Sequence, residues 1–167
     1  LTYDKLDKLS TNFGAYLQSR GLEKGDKIAL MMPNLLQYPV ALFGALKAGL
    51  TIVNTNPLYT PREMEHQFTD SNVKAIVIAE NFAINLQQVI GNTEISIVLT
   101  ASIGGMLGAI KGRLTNFVVR KIKRMVPAYN IPNTVTVKDA IKQGSKFTLT
   151  DVESCSEDVI VHQYTGG

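Results

Sequence analysis

Two kinds of hydrophobic pattern alternate along the chain. Leu6, Leu9, Phe13, Tyr16 and Leu17 recur at helical spacing, with Thr2 placed to cap the helix and Gly21 to stop it. A first helix is therefore predicted from Thr2 to about Arg20. After the turn at Gly25-Asp26, Lys27 to Met32 is short and almost continuously apolar, as a parallel strand buried on both faces would be. Pro33-Asn34 breaks it. A second helix follows from about Leu36 to Ala48, with Val40, Phe43, Ala45 and Leu46 on its apolar side and Gly49 at its end. Thr51 to Val53 reads as a second strand. Thr60-Pro61-Arg62-Glu63 reads as a capping box, with Thr60 as N-cap, Pro61 at the first helical position and Glu63 reaching back. That helix is predicted to run to about Asp70. Lys74–Ala79 is a third strand, Ala83–Ile90 a helix and Ile95–Leu99 a fourth strand. A long helix is expected from Ile103 to Met125, in spite of Gly104, Gly105, Gly108 and Gly112, with Pro127 and Pro132 ending it. Thr136–Gln143 is a short helix and Val159–Tyr164 the last strand.

Strands that alternate with helices argue for an α/β domain: a mostly parallel sheet flanked by helices. Such sheets bind ligands beyond the carboxyl ends of their strands. The last strand runs at that end into Thr165-Gly166-Gly167. Glycines reach φ > 0 and let backbone N–H groups approach an anion, which is how a phosphate-cradling loop begins. Taken alone, Thr-Gly-Gly reads as a frayed terminal turn. Joined to the strand before it, it leads us to expect the front part of a nucleotide-using enzyme, severed within its phosphate loop.

Composition narrows the alternatives. The 167 residues suffice for one domain with a core, and 45% of them are hydrophobic, as in ordinary globular proteins. No run reaches the roughly 18 to 20 apolar residues of a membrane span. The chain starts at Leu1 without the basic and apolar regions of a signal peptide,. Cys155 is alone, so neither an internal disulfide nor a cysteine metal cluster can form, which suits a reducing cytoplasm. Its neighbours Glu153, Ser154, Ser156 and Glu157 include no base to activate it,. His66, beside Glu63 and Glu65, and His162, inside a strand, lack the partners of a nucleophilic or metal site. No catalytic residue and no metal site is expected within these residues. Asn34, Asn54, Asn56 and Tyr59 lie near strand ends, where turn chemistry is their expected role.

Charge adds one feature. The net charge is +3, yet Lys111, Arg113, Arg120, Lys121, Lys123 and Arg124 all fall between Ala101 and Asn130 with no acidic residue among them. The rest of the chain is net acidic. Leu107, Ile110, Leu114, Phe117, Val118, Ile122 and Met125 form a stripe at helical spacing, and Arg113, Arg120 and Arg124 flank it. One reading is a peripheral helix packed on the domain with solvated charges. Another is an interfacial helix on anionic lipid. Nucleic acid is not expected, because no nucleic-acid-binding fold accompanies the charge.

The order of several short motifs resembles one family. Leu1-Thr2-Tyr3-Asp4-Lys5-Leu6, Gly21 to Ala29, Met32-Pro33-Asn34, Phe43 to Gly49, and Asn56-Pro57-Leu58-Tyr59-Thr60-Pro61-Arg62-Glu63 resemble the opening of the adenylate-forming superfamily of acyl-CoA synthetases, adenylation domains and luciferases. Asp158 to Gly167 resembles the approach to its phosphate loop, with Tyr164, Thr165, Gly166 and Gly167 at the first four loop positions. Within the superfamily, Gln163 to Gly167 and the basic Gly104–Asn130 segment are most similar to bacterial long-chain fatty acid–CoA ligases.

The resemblance implies that residues 1–167 are an incomplete large N-terminal domain of that fold, cut in the phosphate loop and lacking the C-terminal domain. It implies a parent enzyme using ATP, Mg²⁺ and coenzyme A on a long-chain fatty acid, with Thr165, Gly166 and Gly167 as the start of the ATP phosphate loop. The family's remaining functional residues lie in or after that loop, so the chain by itself is expected to be inactive. The parent is expected in the cytoplasm, with contact to the inner face of the membrane through Arg113, Arg120 and Arg124, and a homodimer stays open. The alternative is a self-standing α/β interaction module whose basic amphipathic helix binds membrane or an acidic partner.

Overall fold

The computed structural model describes residues 1–164. Six parallel strands form one sheet in the order β5-β4-β3-β1-β2-β6: β1 Lys27–Met31, β2 Thr51–Asn54, β3 Val73–Ala79, β4 Ile97–Ala101, β5 Val135–Thr136 and β6 Val161–Gln163. The helices are α1 Tyr3–Ser19, α2 Gln37–Lys47, α3 Pro61–Ser71, α4 Ala83–Val89, α5 Ala109–Phe117 and α6 Val137–Gly144. The chain passes from β1 to β2 on one side and then back across β1 to β3, so the winding reverses between β1 and β3. None of the described helices is long and apolar enough to cross a membrane.

The near-continuous apolar strands are buried on both faces, as predicted. Ile28 and Leu30 of β1, with Ala75 and Val77 of β3, meet Phe13, Leu17, Val40, Ala45, Ala140 and Ile141 from α1, α2 and α6. The alternate residues Ala29, Met31, Ile76 and Ile78 meet Met64, Phe68, Leu86 and Val89 from α3 and α4. Successive side chains point to opposite faces of a strand, so one run of five residues feeds two cores.

Local signals act where expected. Thr2 caps α1, its hydroxyl accepting from the Lys5 amide at 3.4 Å. The capping box is complete: the Thr60 amide donates to Glu63 at 2.7 Å and the Glu63 amide returns to the Thr60 hydroxyl at 3.4 Å. Asn72, at φ 52°, ends α3 in the left-handed conformation that asparagine tolerates,.

Several boundaries differ from expectation, each for a tertiary reason. β4 lies two residues later than predicted, because parallel pairing with β3 matches Ala75 to Ile97 and Ala79 to Ala101. β6 is shorter, because only Ile52, Val53 and Asn54 of β2 pair with it. β5 is a two-residue strand that no sequence pattern announced. Phe43 faces solvent at 45% exposure, while Ala41, Gly44 and Ala45 are buried. The small residues face inward because α2 crosses α1 at close range: a Cβ on Gly44 would lie 2.7 Å from the Ser10 carbonyl oxygen.

The largest correction concerns residues 103–125. Turns occupy the first part, and α5 begins only at Ala109, after Gly108 at φ 90°. It continues into a wider π-type turn over Val118–Ile122, and Arg124 sits beyond it at φ 49°. Arg113, Arg120 and Arg124 therefore do not share one helical flank.

Candidate functional site

Two polar regions lie at the carboxyl ends of the strands. The first surrounds the approach to Thr165. The Tyr38 hydroxyl donates to Asn54 Oδ1 at 2.8 Å, and Asn54 Nδ2 donates to Gln163 Oε1 at 3.2 Å. Gln67, 2% exposed, donates to the Asn54 carbonyl at 3.0 Å. Asn54 thus joins α2, α3, β2 and β6. Further back, the Thr51 hydroxyl donates to the Val159 carbonyl at 2.7 Å and the Ile52 amide to the Ile160 carbonyl at 2.9 Å. The Tyr164 hydroxyl donates to Asp70 of α3, and desolvation with that acceptor pushes the phenol's pKa up. A cavity of about 500 Å³ opens beside these groups, lined by Asn34, Tyr38, Asn54, Tyr59, Gln163 and Tyr164 among others.

Of the asparagines assigned to turns, Asn56 fills that role by accepting from the Leu58 amide at 3.0 Å. Asn54 is a bridge between strands, which its place in the sequence did not reveal. Thr165, Gly166 and Gly167 lie outside the described residues. His66 is exposed, His162 pairs in register with Val53, and Cys155 is exposed with its amide bonded to Asp158 at 2.8 Å. Among the described residues no cluster of three His, Cys, Asp or Glu side chains could hold a metal.

The second region lies between α5, the ends of β3 and β4, and the start of α6. Gly104 and Gly112 let α5 sit against the loop after β4: a Cβ on Gly112 would lie 2.3 Å from the Gly104 carbonyl oxygen. Asn116 fastens the contact, accepting from the Gly104 amide at 2.8 Å and donating to the Ser102 hydroxyl at 3.2 Å. Arg120 turns inward and binds the buried Glu80 carboxylate through two nitrogens. The hydrogen bond to Glu80 holds the guanidinium's pKa above its ordinary value. Asn81 donates to the Met125 carbonyl at 2.8 Å.

Every inward contact of α5 just described is thus polar or made by glycine. The large apolar side chains of α5 and of the π-type turn after it face out: Ile110 is 84% exposed, Leu114 64%, Phe117 56% and Ile122 65%. This reverses the usual surface helix, whose apolar stripe faces the core. The segment does pack on the domain, but by its polar side. Of the two readings the sequence left open, a packed helix with solvated charges needs this correction: most of the apolar stripe is exposed, and Arg120 is paired with Glu80.

Comparison with known proteins matches this architecture. The profile of the AMP-binding enzyme family covers residues 1–167. A long-chain-fatty-acid–CoA ligase of Escherichia coli O157:H7 is 51% identical over all of this chain, and one of Bacillus subtilis (strain 168) is 33% identical. The chain spans 30% of the length of each of these relatives. Among solved structures, a long-chain-fatty-acid–CoA ligase from Archaeoglobus fulgidus superposes over the whole chain with TM-score 0.73 at 20% identity, covering 28% of that protein. The anthranilate CoA ligase AuaEII, in complex with anthranoyl-AMP, superposes with TM-score 0.77 at 16% identity over 100% of this chain and 27% of its own. The parallel fold and a family match from first residue to last agree: the chain belongs to the AMP-binding enzyme family.

Proposed function

We propose that residues 1–167 form the N-terminal part of the large domain of a long-chain fatty acid–CoA ligase, ending within its ATP phosphate loop. The observation that carries this is the 51% identity to such a ligase along the whole chain. In that reaction a fatty carboxylate attacks the α-phosphate of ATP, releasing pyrophosphate, and the thiol of coenzyme A then displaces AMP from the acyl-adenylate. The part assigned to this chain is positional. The Tyr38–Asn54–Gln163 brace holds the end of β6 against β2, which would present Thr165, Gly166 and Gly167 beyond the sheet as backbone donors to phosphate oxygens. The polar cavity beside Tyr164 suits a nucleotide. We assign the described residues no step in the chemistry. A self-standing interaction module is the weaker reading, since the family match runs through the whole chain.

Activity assays test the proposal. The 167-residue chain is expected to release no pyrophosphate from ATP and Mg²⁺ with oleate. In the longer ligase, Gly167→Ala should lower ATP–pyrophosphate exchange by about tenfold or more while leaving melting unchanged, because a Cβ obstructs backbone approach to phosphate. Turnover by the chain alone, or normal exchange in the variant, would refute the assignment.

The outward apolar face of α5 favours a second element of the reading, contact with a lipid surface. Ile110, Leu114 and Phe117 project outward, and exposed Lys111, Arg113, Lys121 and Lys123 surround them. Apolar side chains rimmed by cations match the boundary between acyl chains and anionic headgroups. Replacing all three apolar residues by serine should reduce co-sedimentation with phosphatidylglycerol vesicles at least tenfold, from lost apolar burial of roughly 1.5 to 3 kcal/mol per side chain. Unchanged sedimentation of the triple variant would remove this element.

A further inference from the structure

Beneath the outward face of α5 lies a cavity of about 240 Å³ whose wall includes buried polar and exposed cationic side chains. Gln37, Glu80 and Thr100, each no more than 3% exposed, form buried polar parts of the wall. Gly104, Gly105, Gly108 and Gly112 also line it. Glu80 is neutralised by Arg120, and Gln37 donates to the Ser102 carbonyl at 2.7 Å. Two further cations line the space, Arg113 from α5 and Lys138 from the first turn of α6. Both are exposed, and neither forms an ion pair among the described residues. With Glu80 and Arg120 cancelling, the cavity carries two uncompensated positive charges. A water takes about 30 Å³ of liquid volume, so a hydrated phosphate group fits.

The position of Arg113 narrows the ligand class. At 100° per residue it falls between the inward pair Gly112 and Asn116 and the outward set Ile110, Leu114 and Phe117. A helix resting on a bilayer with that set buried in the acyl boundary holds such a flanking guanidinium at headgroup depth. Guanidinium presents two parallel donors to phosphate oxygens, and an ammonium adds a point charge. We propose that this cavity is a binding site for a phosphate ester, filled by the headgroup of an anionic phospholipid when α5 lies on a membrane. Arg113 and Lys138 grip the phosphate from two different helices. The proposal deepens the lipid-contact reading and rests on it for the source of the phosphate.

The test compares two double variants of equal charge on the 167-residue chain. Arg113→Gln with Lys138→Gln removes the grip. Lys111→Gln with Lys121→Gln removes two exposed charges of the same basic segment outside the cavity lining. Binding to phosphatidylglycerol vesicles and to phosphatidylcholine vesicles is measured by co-sedimentation, and sn-glycerol 3-phosphate is titrated by NMR. The cavity variant is expected to lose about tenfold more phosphatidylglycerol affinity than the control variant. Glycerol 3-phosphate should shift the amides of Thr136 to Lys138 in the wild type and not in the cavity variant. Equal loss in the two variants overturns the headgroup site while leaving lipid contact standing. Absence of vesicle binding by the wild type overturns lipid contact. In that case, a glycerol 3-phosphate response abolished by the cavity variant supports the phosphate site with a soluble source, and no response overturns it as well.

Discussion

Gly144→Ala is expected to destabilise the chain by about 3 kcal/mol, near the upper end for forcing a methyl group into a packed contact. Gly144 ends α6 where that helix meets α1. A Cβ built there would lie 1.8 Å from the Asn12 carbonyl oxygen, 2.8 Å from its carbon and 3.0 Å from the Tyr16 Cβ. The nearest of these obstacles are helix backbone, which no rotamer change can move. Nor can α1 retreat, because it is clasped on its other side by α2, where Gly14 approaches the Gly44 carbonyl to 2.6 Å from the position of a Cβ. The helix α6 must therefore lift, and Ala140 and Ile141, buried in the core beside Tyr16, lift with it. Gly91→Ala is the control, since nothing lies within 4 Å of a Cβ there. It should change stability by no more than about 0.5 kcal/mol. Urea melts of the two variants give the comparison. A Gly144→Ala midpoint indistinguishable from that of Gly91→Ala would mean that α1 and α6 are not in such close contact.

Arg120→Gln should cost about 2 to 3 kcal/mol. Breaking a buried ion pair from one side costs about 3 to 5 kcal/mol because the remaining charge is left without compensation. The cost falls at or below the lower end of that range here because the Arg120 side chain is 51% exposed, so water already reaches the pair, whereas Glu80 keeps only 4%. The asymmetry makes a second expectation. Glu80→Gln should be milder, since it leaves the half-hydrated guanidinium as the unpaired partner. The double variant Glu80→Gln with Arg120→Gln should recover most of the loss. Thermal melts of the three variants would show it. Equal effects of the two single changes would mean that Glu80 is hydrated in solution. This pair also governs the choice of lipid-binding variants: removing Arg120 disturbs the attachment of α5 itself, so charge changes that leave it in place give the cleaner comparison.

Where neighbouring residues settle conformation, the sequence was legible. The Thr60–Glu63 capping box, the Thr2 cap and the two-sided burial of Lys27–Met31 depend on side chains a few positions apart, and all appear as read. Alternation of strands and helices was enough for the α/β class, because a parallel strand requires a crossover and the helix supplies it. Ordered motifs carried the family. Orientation was different. The stripe from Leu107 to Met125 is visible in the sequence, but its direction is not. A helical period says that one face is apolar and leaves open which face meets the sheet. That was decided by contacts distant in sequence: Gly104 against Gly112, Asn116 on Ser102, and Arg120 on Glu80, forty residues away. Those contacts turn the polar side inward, because an uncompensated Glu80 at the end of β3 is costlier than exposed leucine and isoleucine. Asn54 gives the same lesson at the other end of the sheet. Its position suggested a turn, and only the parallel register of β2 with β6 brings it opposite Gln163. Local chemistry determined the elements and the family to which they belong. Tertiary packing alone decided which sides of them face the core, because the partners that bury or neutralise a side chain come from distant parts of the chain.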